Sequence, residues 1–409
     1  MGVKTIYKAS PMTPSNPDRT GKYASAEQRD LSIYVHWPFC VSKCPYCDFN
    51  SHVERSVEPS DWSQAIGDQI AEGARLLGRR SITSIFFGGG TPSLMRPQIV
   101  ADVINHIEKK WNVPKSAEIS LEANPNSSDA TKFSDFLKAG VNRLSLGVQS
   151  LDNRNLHFLG RQHSSEEAIK AAETAREIFP RSSVDLIYSL PGQTIDNWQK
   201  ELAKALKIMG DHISLYQLTV EKGTPFYAMQ KNGDLKLPGD DKAMQLYALT
   251  QDMLNASGLP AYEISNHARP GGESRHNLTY WLYKDYLGVG PGAHSRLTLD
   301  NKVYALAQIP SPAKWFEKKK ARIAIDGRSE ALSLLQCVRE MVMMGLRLTG
   351  GINKKQFRSR LNHSLNDVLD SNALASLTKN GLVLDDANNL QLTSRGRALI
   401  NPILERLLP

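Results

Sequence analysis

Residues 31–50 read "LSIYVHWPFCVSKCPYCDFN". The first seven are mostly β-branched, aromatic or apolar and read as a buried strand, which Pro38 ends. Close behind come three of the chain's four cysteines, Cys40, Cys44 and Cys47, within eight positions. An odd, crowded set of thiols makes no disulfide framework and points to a reducing compartment. Soft thiolates bind zinc or an iron–sulfur cluster, and both stay open at this point. A structural zinc wants four protein ligands, which His36 or His52 would have to complete. A cubane cluster normally takes a thiolate at each iron, so three cysteines would leave one iron free for another ligand. Cys337 lies far away in the apolar run 331–346, "ALSLLQCVREMVMMGL". It reads as buried packing.

Outward from that loop the chain has a rhythm. Runs such as "ITSIFFG" (82–88), "AEISLEA" (117–123), "NRLSLGV" (142–148), "SSVDLIYSL" (182–190) and "DHISLYQLTV" (211–220) alternate with amphipathic stretches such as 197–209, "NWQKELAKALKIM". Six strand–helix units from Leu31 to about Asn255 predict an α/β fold, a parallel sheet covered by helices. Right-handed crossovers would curl it into a complete or partial barrel. A doubly wound open sheet fits the same periodicity. Polar and glycine residues gather where the strands end. The cysteine loop follows the first strand, "GGGTPS" (88–93) the second, Glu122 lies late in the third, and "GVQS" (147–150) closes the fourth. The C-terminal strand ends of a barrel carry its chemistry.

At this point the residues carry a resemblance. Cys40-x3-Cys44-x2-Cys47, with Tyr46 just before the last cysteine, resembles the signature of radical S-adenosylmethionine (SAM) enzymes. The resemblance implies a [4Fe–4S] cluster on these three residues, with SAM chelating the open iron, and a partial (β/α)6 barrel. "LSIYVHWPFC", "GGGTPS", "SLEANP", "GVQS", "LGRQHS" and "VDLIYSLPGQT" together resemble one branch of that superfamily. It contains oxygen-independent coproporphyrinogen III dehydrogenase and the heme chaperone HemW. Matched motif to motif, the implied SAM contacts are Tyr34, Gly89, Gly90, Thr91 and Glu122. Tyr46, Gln149, Arg161 and Asp185 are implied around a second SAM or the adenosyl end.

Two features separate the members of the branch. The dehydrogenase carries another cysteine two positions past the cluster motif, where this chain has Phe49. Phenylalanine can neither ligate iron nor shuttle hydrogen. The second is "HNLTYW" (276–281), which resembles the motif marking the heme-chaperone branch. It implies heme as a further ligand with His276 at the iron, since imidazole is a good axial ligand. The expected function is a heme chaperone that hands heme to an acceptor protein. The alternative is the dehydrogenase, which oxidatively decarboxylates a porphyrinogen.

The rest of the chain frames this core. Residues 1–29 are polar, interrupted by Pro11, Pro14 and Pro17, and read as a disordered tail. The tail lacks a secretory apolar core; an organellar transit peptide is the alternative, but the segment is poor in Arg, so a cytoplasmic location is expected. Residues 30–265 are expected to form the barrel and 266–310 a connecting segment holding the His276 motif. Residues 311–409 should form a C-terminal domain of helices and a two-stranded wing, turning at Asn388-Asn389 and resembling a winged helix. From residue 311 onward there are 16 Lys and Arg against 9 Asp and Glu, nearly all of the net charge of +8. That face suits an acidic partner or peripheral contact with an anionic membrane. Nucleic acid is not expected, because no aromatic stripe accompanies the charge. An electron donor to the cluster completes the expected partners.

Overall fold

The computed structural model describes residues 30–54, 59–127, 130–320 and 328–408. The polar tail expected over 1–29 lies outside them. Eleven strands form one sheet. In chain order they are β1 (Asp30–Trp37), β2 (Ser81–Gly89), β3 (Glu118–Ala123), β4 (Arg143–Gln149), β5 (Arg181–Tyr188) and β6 (His212–Gln217), then β7 (Asn266–Ala268), β8 (Tyr286–Val289), β9 (His294–Leu299), β10 (Lys302–Ala307) and β11 (Arg328–Ala331). Across the sheet the order is β11-β10-β9-β8-β1-β2-β3-β4-β5-β6-β7. Strands β1 to β6 pair in parallel, each with the next in sequence. A doubly wound sheet would reverse direction within that series. The unbroken order is that of a partial (β/α)6 barrel.

Alternation along each strand fixes which face looks inward. Leu31, Ile33 and Val35, then Ile85 and Phe87, Leu121, Leu144 and Leu146, and Ile213 and Leu215 are buried in one large core under the helices. Each such side chain contributes roughly 1.5–3 kcal/mol on burial. A one-residue slip would turn them all into the lumen, so the register is strongly specified. The opposite face carries Ser32, Ser84, Ser120, Ser145, Ser183 and Ser214, small polar residues that leave the barrel interior roomy. Tyr216, on this inward face of β6, is still 42% exposed. Water therefore reaches the lumen.

The segment expected as a connector belongs to the sheet. After helix Arg275–Trp281 the chain returns as β8 beside β1, in parallel, and β9 to β11 extend the sheet antiparallel. The sheet also runs past residue 311. Trp315, on helix Pro312–Lys320, packs into the barrel core, whereas a second core collects Cys337, Val338, Val342 and the apolar residues after them. The C-terminal unit has helix Leu334–Gly345, helices Lys354–Leu361 and Ser371–Lys379, a three-stranded antiparallel sheet, and a last helix, Ile400–Leu407. The wing strands Val383–Asp385 and Asn389–Leu392 turn where Asp386 Oδ1 accepts the N–H groups of Asn388 and Asn389. Two ionic contacts fasten this unit to the sheet. Arg360 Nη2 lies 2.7 Å from Asp285, and Arg296 Nη2 lies 2.7 Å from Glu340.

Candidate functional site

The cysteine loop leaves β1 at Pro38. Residues Phe39–Cys40 pair in parallel with His52–Val53, closing the loop on itself. A tight turn brings the Cys47 N–H to the Cys44 carbonyl at 3.1 Å. The glycine strip at the end of β2 lies against the start of this loop. Gly90 N donates to Trp37 O at 2.7 Å and Thr91 N to Phe39 O at 2.8 Å. A Cβ on Gly90 would stand 2.6 Å from Phe39 O and 3.0 Å from Cys40 Sγ. Gly89 has φ +115°, a conformation glycine alone adopts readily. Glycine is thus needed here so that the strip can pack on the cysteine loop, whatever else it touches.

Each thiol has its own hydrogen-bonding neighbour. Thr91 Oγ1 lies 3.5 Å from Cys40 Sγ, Arg161 Nη1 3.6 Å from Cys44 Sγ, and Ser51 Oγ 3.9 Å from Cys47 Sγ. Burial pushes the Cys40 thiol's proton affinity up, the Thr91 hydroxyl opposes this, and the charges of Cys47 and Cys44 add to it. Cys44 and Cys47 are therefore both within electrostatic reach of Cys40. Cys337 and His36 cannot join them, whereas His52 lies on the strand paired with Phe39–Cys40. Cys337 is buried in the C-terminal core. His36 Nε2–H donates to the Asn50 carbonyl at 2.9 Å and its Nδ1 accepts from Tyr34 OH at 2.9 Å. Among the described residues no three His, Cys, Asp or Glu groups close around a single metal ion. A cubane places its thiolates on separate irons, so three thiols with a donor on each suit a cluster with one open iron.

Beside the loop is a cavity of about 280 Å³ lined by Cys44, Thr91, Asn124, Gly160, Arg161 and His163. Arg161 crosses its wall, donating from Nη2 to Asn124 Oδ1 at 2.6 Å and to Gly147 O at 2.9 Å. Tyr46 packs against Phe226 with ring centres 6.4 Å apart. Gln149 ends β4 at φ +66°, where the pairing with β5 shifts register. That left-handed backbone costs roughly 1–2 kcal/mol in a residue with a Cβ.

Below the glycine strip the lumen holds two carboxylates. Glu122 Oε2 accepts the Gly89 N–H at 3.2 Å. Burial pushes its pKa up to about 8, with Asp185's charge the second cause. Asp185 accepts from Ser145 Oγ at 2.9 Å, and burial also raises its pKa. Tyr34 faces the same space, its hydroxyl held by His36. Of the residues the resemblance implied, Tyr34, Gly89, Glu122 and Asp185 form the lumen group. Cys40, Gly90 and Thr91 meet at the mouth, and Cys44, Tyr46 and Arg161 meet at its side.

His276 lies at the other end of the lumen, its ring 6.3 Å from that of Tyr34. Helix Arg275–Trp281 enters the opposite, N-terminal end of the barrel, and His276 is 1% exposed. Its Nδ1 lies 2.8 Å from Ser84 Oγ and its Nε2 2.8 Å from Tyr280 OH. The chain of bonds continues from Ser84 Oγ to Ser32 Oγ and from there to Thr279 Oγ1, each 2.8 Å. Phe86 stacks on the imidazole at 5.0 Å. Glu118, a carboxylate in β3, accepts the backbone N–H groups of Arg275 and His276 at the helix start. Expected at a heme iron, His276 has both ring nitrogens hydrogen-bonded inside the barrel in this structure. Burial, with Arg143 second, lowers its pKa to about 3, so it stays neutral.

Several site residues were not singled out from the sequence. Asn124 and the inward serines carry no motif of their own. Their signal is a Ser recurring in every strand run, visible only once the inward face is known.

Two family profiles match the chain: the radical SAM superfamily over residues 34–205 and the HemN C-terminal domain over 332–399. The mouse protein named radical S-adenosyl methionine domain-containing protein 1, mitochondrial, is 39% identical, covering 96% of this chain and 91% of its own. The heme chaperone HemW of Bacillus subtilis is 34% identical, covering 92% and 99%. The solved structure of coproporphyrinogen III oxidase (HemN) from Escherichia coli superposes with a TM-score of 0.77 at 25% identity, over 92% of this chain and 90% of that one. With this identity along nearly its whole length, and with a loop of three cysteines packed through Phe39 and Cys40 on a glycine strip at the mouth of a partial barrel, the chain belongs to the radical SAM superfamily, in the branch of the heme chaperone HemW.

Proposed function

We propose that this chain is a heme chaperone: it binds heme as cargo and passes it to an acceptor protein, while Cys40, Cys44 and Cys47 hold a [4Fe–4S] cluster. The observation that carries the choice is Phe49. It stands where the dehydrogenase of this branch has its extra cysteine, and it is 61% exposed on the rim of the mouth. An exposed phenylalanine offers a flat apolar cargo a surface and offers hydrogen-transfer chemistry nothing. When bound, the cluster supplies an electron that can cleave the SAM sulfonium. SAM would be held by Gly89, Gly90, Thr91, Tyr34 and Glu122, with Tyr46, Gln149, Arg161 and Asp185 around the adenosyl end or a second SAM. A cation placed beside Glu122 would favour its charged form and draw its pKa back down.

The proposed partners are an electron donor, a heme acceptor and, through the basic C-terminal unit, an acidic protein or an anionic membrane surface. No helix among the described residues is long and apolar enough to cross a membrane. The sequence reading placed the chain in the cytoplasm, and relatives named as mitochondrial make that organelle the competing site. The deciding test is anaerobic. Iron, sulfide and zinc are measured per chain, hemin is titrated in, and coproporphyrinogen with SAM is assayed for loss of carboxylates. Hemin uptake without decarboxylation is expected. Robust decarboxylation would make the chain the dehydrogenase despite Phe49.

A further inference from the structure

Each cleavage of a SAM sulfonium would spend one electron of the cluster, and a carrier outside the chain must replace it. We infer that this electron enters through a file of aromatic rings that starts at helix Pro312–Lys320, and that an acidic one-electron redox protein docks on that helix. This rests on the cluster reading and names where its electron donor binds.

The file begins at the cysteine loop. Phe39 is the residue before Cys40, and its ring meets Trp62 edge-on at 5.1 Å. Trp37 closes a triangle with both, 5.1 Å from Phe39 and 5.9 Å from Trp62. Trp62 stands in the first turn of helix Pro59–Leu77. It also stacks on two rings of helix Pro312–Lys320, Trp315 at 5.4 Å and Phe316 at 5.1 Å, with planes 14° and 20° from parallel. Phe39, Trp62 and Trp315 are buried and Phe316 is half-buried, so the file runs from the cluster loop toward the surface. Electron tunnelling weakens steeply across gaps in the medium, and close-packed rings leave none.

Packing alone does not ask for indoles here. The ring N–H groups of Trp37 and Trp315 are buried without an acceptor among the described residues. Such a donor is destabilising, and phenylalanine or leucine in its place would avoid the loss. What the two indoles keep is the large ring itself.

The outer end of the file carries charge. Helix Pro312–Lys320 reads PAKWFEKKK, four lysines against one glutamate. Ala313, Lys314 and Glu317 are exposed and Phe316 is half-buried, so a partner laid on this helix meets lysine and the last ring together. Redox encounters bury little area and are steered by charge, so one short basic helix suits an acidic carrier. The same flank is tied to the cysteine loop. Asn50 Nδ2 donates to Pro310 O at 2.9 Å, just before the helix, and to Pro291 O at 3.0 Å. In the transfer, one electron leaves the reduced carrier and takes the oxidised cluster to its reduced state. No bond is made or broken, and the rings serve as medium.

The test uses the full chain, with and without its anaerobically reconstituted cluster, and reduced flavodoxin, an acidic FMN protein, as the probe. Flavodoxin affinity is measured on both forms. Cluster reduction is followed by stopped-flow absorbance, with iron and sulfide counted on the same samples. The double variant Lys314→Glu, Lys318→Glu should weaken flavodoxin binding by ~10-fold at low ionic strength, with the loss shrinking as salt is added. Phe316→Leu and Trp62→Leu should bind flavodoxin as the wild type does and accept its electron severalfold more slowly. Dithionite, a small reductant that enters at the mouth, should reduce every variant at the wild-type rate. Phe316→Leu alters only a half-buried ring and keeps the test decisive where Trp62→Leu loses iron. Equal binding and equal rates in all these variants would overturn the assignment while the cluster reading stands. So would a rate lost equally with dithionite, or an intact wild type that flavodoxin neither binds nor reduces. Loss confined to Lys43→Glu, on the exposed part of the cysteine loop, would seat the carrier at the mouth instead. A wild-type chain holding zinc and no sulfide would defeat the cluster reading, and the assignment with it.

Discussion

The two ends of this barrel both carry polar side chains and treat them in opposite ways. At the N-terminal end His276, Thr279 and Tyr280 of the motif are turned inward and bonded. The imidazole uses both nitrogens, Ser84 and Ser32 relay the bonds, and Glu118 caps the entering helix. At the C-terminal mouth the polar groups are left facing outward or into a wet lumen. Three thiols meet one donor each, two carboxylates have raised pKa values, and the glycines have no side chains to fill the space. The polar groups at one end are therefore spent within the fold, whereas the thiols and carboxylates at the other stay open to ligands. What decides is whether the fold has already satisfied the group.

The sharpest break in the comparison is at the mouth. Cys40→Ala, Cys44→Ala or Cys47→Ala should each abolish the cluster, read as iron and labile sulfide near zero per chain, with melting temperature changing little. Cys337→Ala should leave iron content unchanged and reduce stability alone, because its sulfur is buried in the other core. Stoichiometric zinc without sulfide in the wild type would reverse this assignment.

Gly90→Ala comes next. The added Cβ would meet a backbone oxygen at 2.6 Å, which cannot swing aside as a flexible side chain would. The cysteine loop must shift, so cluster content should fall severalfold, with SAM affinity falling alongside it. Normal iron content in Gly90→Ala would show that the strip and the loop are less tightly coupled than their hydrogen bonds indicate.

At the plugged end the effect should be on stability. His276→Ala strands Ser84 and Tyr280 inside the barrel and leaves a cavity beside Phe86. The cost should be on the order of 2–4 kcal/mol in denaturant unfolding. Cluster content and hemin spectrum should stay as in the wild type. A changed hemin spectrum with unchanged stability would return His276 to the cargo site.

The smallest effect is a pH dependence in the lumen. Glu122 has its pKa raised in the folded chain, so the folded state holds a proton that the unfolded state releases above about pH 4.5. Stability from this group is therefore full at low pH and is lost as pH rises toward about 8. Glu122→Gln should melt close to wild type near pH 5 and higher than wild type above pH 8. The gap should be on the order of 1–2 kcal/mol, below the full linkage value because water enters the lumen. SAM should narrow the gap by favouring the carboxylate. Parallel melting curves across that pH range would remove Glu122 from the lumen pair.

Much of this was legible along the chain. Short-range patterns settled the six strand–helix units, the cysteine loop and the glycine turn, because strand alternation, helical period and ligand spacing are local properties. The Asn388-Asn389 turn and the packing role of Cys337 could be read for the same reason. The choice between a barrel and a doubly wound sheet could not, since strand order is a matter of long-range pairing, and the return of β8 beside β1 leaves no trace in periodicity. The site shows the same division. Sequence by itself determined which side chains could bind metal, SAM or heme. The tertiary structure decided how each of them is engaged: it buried His276 with Nε2 bonded to Tyr280 one turn on and Nδ1 to Ser84, 192 residues away in sequence, and anchored Asn50 of the cysteine loop to Pro291 and Pro310. Hydrogen bonds made across hundreds of residues fix a ring's tautomer and its access to solvent, and no local pattern encodes them.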